Sequence, residues 1–258
     1  MNRPFANAAL PITILHRDPA FLVVDKPVGW VTEPGVAHGS DALLNGLMAM
    51  EPAALGALGD ARDWGLLHRL DRETSGCVLV ALDAVAYDAL RSQFEARTIE
   101  KEYLAVVRGR PSRDHGEIDW PLVETRRDDM KISVPGRRGE GRPALTRWRM
   151  LGSRGGTSLL RVAIVTGRLH QIRAHLALQG WPVEGDRMYR PDLPPNTARP
   201  PKGRILPPLL LHAWRLAFDH PVHRGRMEVV SPPPASLVEG AARSGIDARA
   251  LAALLQSR

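Results

Sequence analysis

The feature that most constrains this chain is a short charged segment, HRLDRETSG at residues 68–76, which lies between two apolar stretches. The apolar residues 77–82 that follow it predict a buried strand, and its Thr-Ser-Gly end is typical of a turn. Within the segment, Asp71 is flanked by Arg69 and Arg72, and neighbouring positive charge favours an ionised carboxylate. A solvated turn with weak surface ion pairs is the ordinary alternative. Reactive groups, however, are often placed on loops that rigid strands hold in place.

Composition limits the class of protein. The chain has 258 residues, of which 44% are hydrophobic, enough for one large domain with a substantial core. A net charge of +7 favours a large anionic partner such as nucleic acid, although charge alone is a weak signal. The single cysteine, Cys77, excludes an internal disulfide and a cysteine-based metal site, and its place at the start of an apolar strand predicts a core residue. No apolar run reaches membrane-spanning length and no signal-peptide pattern is present, so a cytoplasmic protein is expected.

The order of apolar runs predicts more strands than helices. Strands are predicted at 12–15, 21–24, 77–82, 98–109, 144–150, 158–165, 209–221 and 227–230. Helices are predicted from a cap at Ser40-Asp41 to about Met50, at 84–97 after Asp83, from near Leu169 to 177, and in the tail after Asp247. Residues 51–63 are interpreted as a connector, 110–143 as loop-rich and the proline-rich 190–208 as a surface loop. This pattern favours an α+β fold with a largely antiparallel sheet.

The charged segment and the strand after it closely resemble the signature of the RluA-type pseudouridine synthases. Three further segments resemble the same family in the same order: KEYLA at 101–105, GRLHQIRAHLA at 167–177 and LLLHAWRLAFDHP at 209–221. The resemblance runs from about Ile14 to Val230. It implies one catalytic domain, 12–233, with a central, bent, mainly antiparallel sheet flanked by helices. Residues 1–11 are then a loose N-terminus and 234–258 a helical tail, with no room for the N-terminal RNA-binding domain of many relatives.

The resemblance implies an enzyme that isomerises uridine to pseudouridine in structured RNA, either rRNA or tRNA. That reaction breaks the bond between the ring nitrogen and the sugar, turns the base and joins carbon to carbon. No redox step occurs and no atom is lost, so neither a cofactor nor a metal is expected. The catalytic group implied is Asp71, which either attacks the anomeric carbon or removes a proton from the neighbouring carbon. The two routes remain open at this point.

Other residues receive roles through the same resemblance. Arg173 is implied to pair with Asp71, and Tyr103 to stack on the uracil and help remove the proton from the newly joined ring carbon. The substrate-binding residues implied are His68, Arg69, Arg72, Gln171 and Leu211. Taken alone, Tyr103 would be an ordinary half-buried strand aromatic.

The remaining sequence signals concern partners and alternatives. His170 and His175 are five residues apart and do not match the zinc-protease spacing, so no metal site is predicted. The basic cluster at 126–142 is typical of a solvated hairpin and could also grip phosphates. The expected partner is an RNA stem-loop, bound by a monomer without contact to a membrane. Two other classes stay open: an RNA-binding module with vestigial catalytic residues, and a carboxylate-nucleophile hydrolase, which usually needs a second carboxylate such as Glu73.

Overall fold

A computed structural model describes residues 3–35, 38–127, 130–137, 139–189 and 208–256. The chain forms two compact units. The first comprises Met1–Lys101 and Ala213–Pro232, and the second comprises Glu102–His212 and Pro233–Arg258.

The regular elements are numbered in chain order. The strands are β1 Thr13–Arg17, β2 Phe21–Lys26, β3 Ser75–Ala81, β4 Glu100–Arg108, β5 His115–Asp119, β6 Leu122–Arg127, β7 Met130–Pro135, β8 Leu145–Arg154, β9 Thr157–Ile164, β10 Leu211–Asp219 and β11 Arg226–Val230. The α-helices are α1 Leu43–Met50, α2 Pro52–Leu58, α3 Ala84–Ala96, α4 Gln171–Leu178, α5 Ala235–Arg243 and α6 Ala248–Gln256, and Asp60–Gly65 forms a 3-10 helix. The predicted α+β class is confirmed.

The first unit is built on the strand order β1-β2-β3-β10, with β11 paired to β10. The pairings β1–β2, β2–β3 and β10–β11 are antiparallel, and Val24 lies opposite Val78. All seven residues of β3 are buried, and so are five of the six residues of β2. Strands buried on both faces read as continuous apolar runs, which is the pattern at 77–82. The charged segment therefore leads directly into a fully buried strand.

The second unit contains the strand order β4-β9-β8-β5 and a separate two-stranded hairpin, β6–β7. The pairings β4–β9 and β6–β7 are antiparallel, with Tyr103 opposite Val162 in the first and Arg126 opposite Lys131 in the second. In α5, Leu237 and Ala241 are buried. The helix approaches β4 closely, because a Cβ placed on Gly240 would lie 3.1 Å from Val106 Cγ2.

Several local predictions are confirmed. Asp83 caps α3 by accepting the Ala86 N–H at 2.8 Å, and Asp247 accepts the Ala250 N–H at 2.8 Å ahead of α6. Asp and Asn side chains satisfy the unpaired N–H groups of a first helical turn in this way. The predicted tail helix is α6, and it is preceded by a second helix, α5, from which Gly245 separates it by a turn with a φ of +88°.

Three local predictions are wrong. Residues 51–63, predicted as a connector, contain α2 and most of the 3-10 helix, and 110–143, predicted as loop-rich, contain three strands. The cap of α1 comes from within the helix, where Asn45 Oδ1 accepts the Ala42 N–H at 2.9 Å, and not from Ser40 or Asp41. In 51–63, Ala and Gly are poor sequence signals, and packing of Leu55 and Leu58 decides the structure.

Three further features concern the N-terminal segment, the proline-rich loop and the length of the helices. The N-terminal segment contacts α1, since the Asn7 N–H donates to Asn45 O at 2.9 Å. The proline-rich loop predicted at 190–208 lies, apart from Pro208, outside the described residues. Among the helices of the described residues, none has the length and apolar character needed to cross a membrane.

Cys77 lies in the core as predicted, with no exposed surface, and burial raises the pKa of its thiol to about 12. Cys77→Ala is expected to lower the free energy of unfolding by about 1 kcal/mol, through the small cavity that the lost sulfur leaves, without loss of activity. Urea titrations and turnover assays of both proteins would check this. A thiol-blocking reagent that stops turnover without unfolding the protein would contradict a purely structural role.

Candidate active site

The charged segment forms a tight turn that leads directly into β3. The Thr74 N–H donates to Asp71 O at 3.1 Å, and the Asp71 side chain is half-buried. Gly76 follows with a φ of +114°, and a Cβ at this position would lie 2.2 Å from Ala213 O. Only glycine tolerates both this conformation and this close approach. Gly76, the last residue of the segment, is therefore required by the packing of β3 beside β10.

A second loop, residues 27–33 after β2, holds the charged segment in place. The Thr32 hydroxyl donates to Leu70 O at 3.0 Å and accepts the Leu70 N–H at 3.1 Å. The Gly29 N–H donates to Arg72 O at 2.8 Å. These bonds fix the backbone on both sides of Asp71. A carboxylate on a loop so constrained keeps one orientation, as a catalytic group requires.

Lys26 completes this support from the end of β2. Its side chain is fully buried, and its ammonium donates to the backbone oxygens of Pro27, Trp30 and Arg72 at 3.1, 2.7 and 3.3 Å. Burial lowers the pKa of Lys26 to about 8, although the negative charges of Asp71 and Glu73 oppose that shift. The ammonium thus both ties the charged segment to β2 and interacts electrostatically with Asp71.

The lowered pKa of Lys26 predicts a pH-dependent stability. Between about pH 8 and 10.5 the Lys26 amine is protonated in the unfolded chain more often than in the folded chain, so the free energy of unfolding rises with pH in this range. The stability gained in this way is fully present above pH 10.5 and is lost as pH falls through 8. From about pH 7 to 10.5, the unfolding free energy of the wild type is expected to rise by about 3 kcal/mol relative to Lys26→Met. Denaturant titrations across this range measure the difference, with the exposed Lys131→Met as control. A constant difference would disprove the assignment.

The arginines of the charged segment contact other carboxylates. Arg72 donates through Nε and Nη2 to Glu73 Oε1 at 3.2 and 3.1 Å, and Arg69 Nη1 lies 3.6 Å from Glu33 Oε2. The Arg69 side chain is 76% exposed. Exposed pairs of this kind contribute little to stability. Substrate contacts by Arg69 and Arg72 stay predictions, and the exposure of Arg69 suits a residue that reaches toward a ligand.

His68 has a structural contact in the same unit. Its Nε2 accepts the Leu79 N–H of β3 at 3.0 Å, and its ring centroid lies 5.3 Å from that of Phe94. Burial, together with the nearby positive charge of Lys101, lowers the pKa of His68 to about 3. The ring is therefore neutral at physiological pH and fixes the start of the segment. The predicted substrate contact of His68 stays a prediction.

Arg173 lies in the first turn of α4 in the second unit, with 3% of its side chain exposed. Its Nε donates to Asp186 Oδ2 at 2.7 Å and its Nη2 to Asp186 Oδ1 at 3.0 Å. Two parallel bonds to one carboxylate fix the plane of the guanidinium. The predicted pairing of Arg173 with Asp71, which belongs to the first unit, stays a prediction.

Gln171, the first residue of α4, is buried and has hydrogen bonds at both ends of its amide. Its Oε1 accepts from the Thr166 hydroxyl at 2.7 Å and from the Arg168 N–H at 3.1 Å. Its Nε2 donates to Leu145 O and Thr146 Oγ1, both at 3.0 Å. These bonds join α4 to β8 and give Gln171 a structural role. The substrate contact predicted for it stays a prediction.

The other predicted residues of the second unit lie on strands or in α4. Tyr103 on β4 is 8% exposed, and Leu211 at the start of β10 is 4% exposed. His175 Nε2 donates to Trp120 O and His175 Nδ1 accepts from Thr146 Oγ1, both at 2.9 Å. The described residues contain no group of three or more His, Cys, Asp or Glu arranged to hold a metal ion.

The contacts of three residues that hold Asp71 or Arg173 in place were not predicted. Thr32 has no sequence signal, because its partner Leu70 is distant along the chain. Lys26 ends β2, and nothing in the sequence indicates that its side chain is buried. Asp186 lies in the GWPVEGD run at 180–186, and no contact with Arg173 was predicted for it.

Comparison with known proteins identifies the family. The model of the RNA pseudouridylate synthase family matches residues 20–178. The chain is 34% identical over 227 residues to an uncharacterized RNA pseudouridine synthase of Synechocystis, covering 88% of this chain and 67% of that protein. It is 35% identical over 225 residues to ribosomal large subunit pseudouridine synthase D of Nitrosomonas europaea, covering 87% of this chain and 62% of that protein.

Solved structures agree with the sequence comparisons. Human RNA pseudouridylate synthase domain containing 4 superposes with a TM-score of 0.66 at 25% identity, covering 90% of this chain and 93% of that chain. Human RNA pseudouridylate synthase domain containing 1 gives a TM-score of 0.65 at 26% identity, covering 89% and 87%. By sequence match and by fold, this chain belongs to the RNA pseudouridylate synthase family and is an isomerase that acts on RNA.

Proposed function

We propose that this enzyme converts specific uridines to pseudouridine in a stem-loop of ribosomal or transfer RNA, with Asp71 as the catalytic group. The observation that carries the proposal is the support of the Asp71 loop. Lys26, Gly29 and Thr32 make hydrogen bonds to the backbone immediately before and after Asp71. Such support is expected where a carboxylate must meet a sugar carbon in one orientation. The name of the Nitrosomonas relative favours ribosomal RNA as the target.

The proposed chemistry needs one carboxylate that acts on the ribose. Asp71 either attacks the anomeric carbon or removes a proton from the adjacent carbon, and each route releases the base for rotation. Tyr103 stacks on the freed uracil and assists removal of the C5 proton after the new carbon–carbon bond forms. Arg173 pairs with Asp71 during these steps, and Arg69 enters the RNA where the base leaves its stack. The target base must leave its helix, which costs less in a loop than in a duplex.

RNA binding is proposed to use basic residues of both units. Arg126 lies directly opposite Lys131 on the β6–β7 hairpin, and both are exposed. Exposed basic side chains of this kind can contact the phosphates of a bound RNA. We propose that the enzyme acts as a monomer.

The direct test is the appearance of pseudouridine itself. Ribosomal and transfer RNA from cells with and without the gene would be labelled with carbodiimide and read by primer extension. A labelled uridine that disappears with the gene, and returns when purified protein is incubated with the unmodified RNA, is the expected result. RNA binding without any labelled position would favour a vestigial binding module. Release of free base, or a change in RNA mass, would favour a hydrolase.

A further inference from the structure

Arg173 is hydrogen-bonded to Asp186, which lies in the turn after α4, residues 185–189. Burial alone would raise the pKa of Asp186, but the hydrogen bonds and charge of Arg173 lower it below its usual value. The carboxylate has no exposed surface in this pair. A buried ion pair often adds little net stability, because desolvation offsets the attraction. The pair does, however, fix the orientation of the guanidinium, because both bonds go to one carboxylate.

Asp186 is itself held by its own turn. Its Oδ1 also accepts the Met188 N–H at 2.8 Å and the Tyr189 N–H at 3.1 Å. Gly185 has a φ of +78°, and a Cβ there would lie 1.9 Å from Pro208 O, so this position of the turn requires glycine. The carboxylate is thus a fixed acceptor that sets the direction of the guanidinium, since Nε and Nη2 are both bound to it.

Tyr189 connects the same turn to two other elements. Its ring lies below the Arg173 guanidinium, with 5.3 Å between the ring centroid and Cζ. Its hydroxyl contacts His170 Nδ1 at 3.0 Å and accepts the N–H of the fully buried Ser133, on β7, at 2.9 Å. Arg127 of β6 also donates to Met188 O at 3.1 Å. The turn therefore contacts both the arginine of the candidate site and the basic hairpin.

We propose that Asp186 and Tyr189 are positioning residues with separate functions. Asp186 orients Arg173 for the chemical step, and the hydroxyl of Tyr189 holds the β6–β7 hairpin in place for RNA binding. The ring of Tyr189 supports the guanidinium by cation–π contact. This inference rests on the proposed pseudouridine synthase activity, and it predicts that changes within one turn separate the rate of chemistry from the affinity for RNA.

The first test uses Asp186→Asn, which keeps the shape of the side chain and removes its charge. Single-turnover assays with enzyme in excess give a rate constant, an amplitude and a half-saturating enzyme concentration. The rate constant is expected to fall on the order of a hundredfold, as for a misplaced catalytic group, with unchanged half-saturation. A wild-type rate constant in Asp186→Asn overturns the proposal.

The second test compares Tyr189→Phe with Tyr189→Leu. Phenylalanine keeps the ring below Arg173 and removes only the hydroxyl, so half-saturation should rise while the rate constant at saturation is retained. Leucine also removes the ring, so the rate constant should fall as well. If Asp186→Asn does not fold, this pair alone decides the question. Equal effects of the two substitutions on both constants overturn the proposal.

A matched control distinguishes the proposed positioning role of Asp186 from a purely structural role. Leu237→Ala removes buried apolar volume from α5 in the same unit and alters no side chain that bonds to Asp186 or Tyr189. It should lower the thermal midpoint and the reaction amplitude while leaving the rate constant unchanged. Asp186→Asn behaving in the same way overturns the proposal. A wild-type protein that modifies no RNA refutes the proposed function itself, whereas an active wild type with unaffected variants refutes only the positioning roles.

Discussion

Asp71→Asn is expected to form no detectable pseudouridine in an RNA that the wild-type enzyme modifies, while folding and RNA binding are retained. The amide keeps the shape of the carboxylate but can neither attack the anomeric carbon nor accept a proton from its neighbour. The backbone of the loop should not change, because Thr32 and Gly29 hold it through main-chain atoms of Leu70 and Arg72. Carbodiimide labelling measures the product, and filter binding measures RNA affinity.

The adjacent carboxylate provides the matched control. Glu73→Gln removes the same charge from the same loop and weakens the exposed pair with Arg72. It should keep turnover near the wild-type level, because such pairs are weak. Normal turnover by Asp71→Asn would refute the assignment of the catalytic group. Loss of turnover in both variants would favour a mechanism with two carboxylates, as in a hydrolase.

Arg173→Lys is expected to reduce turnover on the order of a hundredfold, because the flat guanidinium is replaced by a point charge on a flexible chain. Lysine cannot reproduce the two parallel bonds to Asp186 at 2.7 and 3.0 Å. The thermal midpoint should fall by several degrees, since a buried charge is left with poorer partners. Turnover at saturating RNA, together with a thermal melt, measures both effects.

An arginine in an exposed pair of the same unit shows whether the substitution itself is harmful. Arg147→Lys weakens the contact with Glu117, which is 2.8 Å long, and should change neither turnover nor the thermal midpoint. Full activity in Arg173→Lys would mean that the orientation of the guanidinium is unimportant. An experimental structure with bound RNA that placed Arg173 out of reach of Asp71 would refute the proposed pairing.

The sequence was sufficient to predict features that depend on neighbouring residues. Asp83 and Asp247 were recognised as helix caps because a cap acts within three residues, and β3 was recognised because a doubly buried strand is a continuous apolar run. The candidate catalytic loop was likewise identified from its charged string and its Thr-Ser-Gly turn. Weak local signals failed where packing decided, as in α2.

Only the tertiary structure revealed which distant groups support the candidate site. Lys26 and Arg72 are 46 residues apart, and Arg173 and Asp186 are 13 apart, yet hydrogen bonding joins each pair, partly buried in the first and buried in the second. Lysine, arginine and aspartate are usually surface residues, and burial changes the energetics of their charges. Their roles follow from desolvation and from hydrogen-bond geometry, and neither quantity is defined until the chain has brought its strands and turns together.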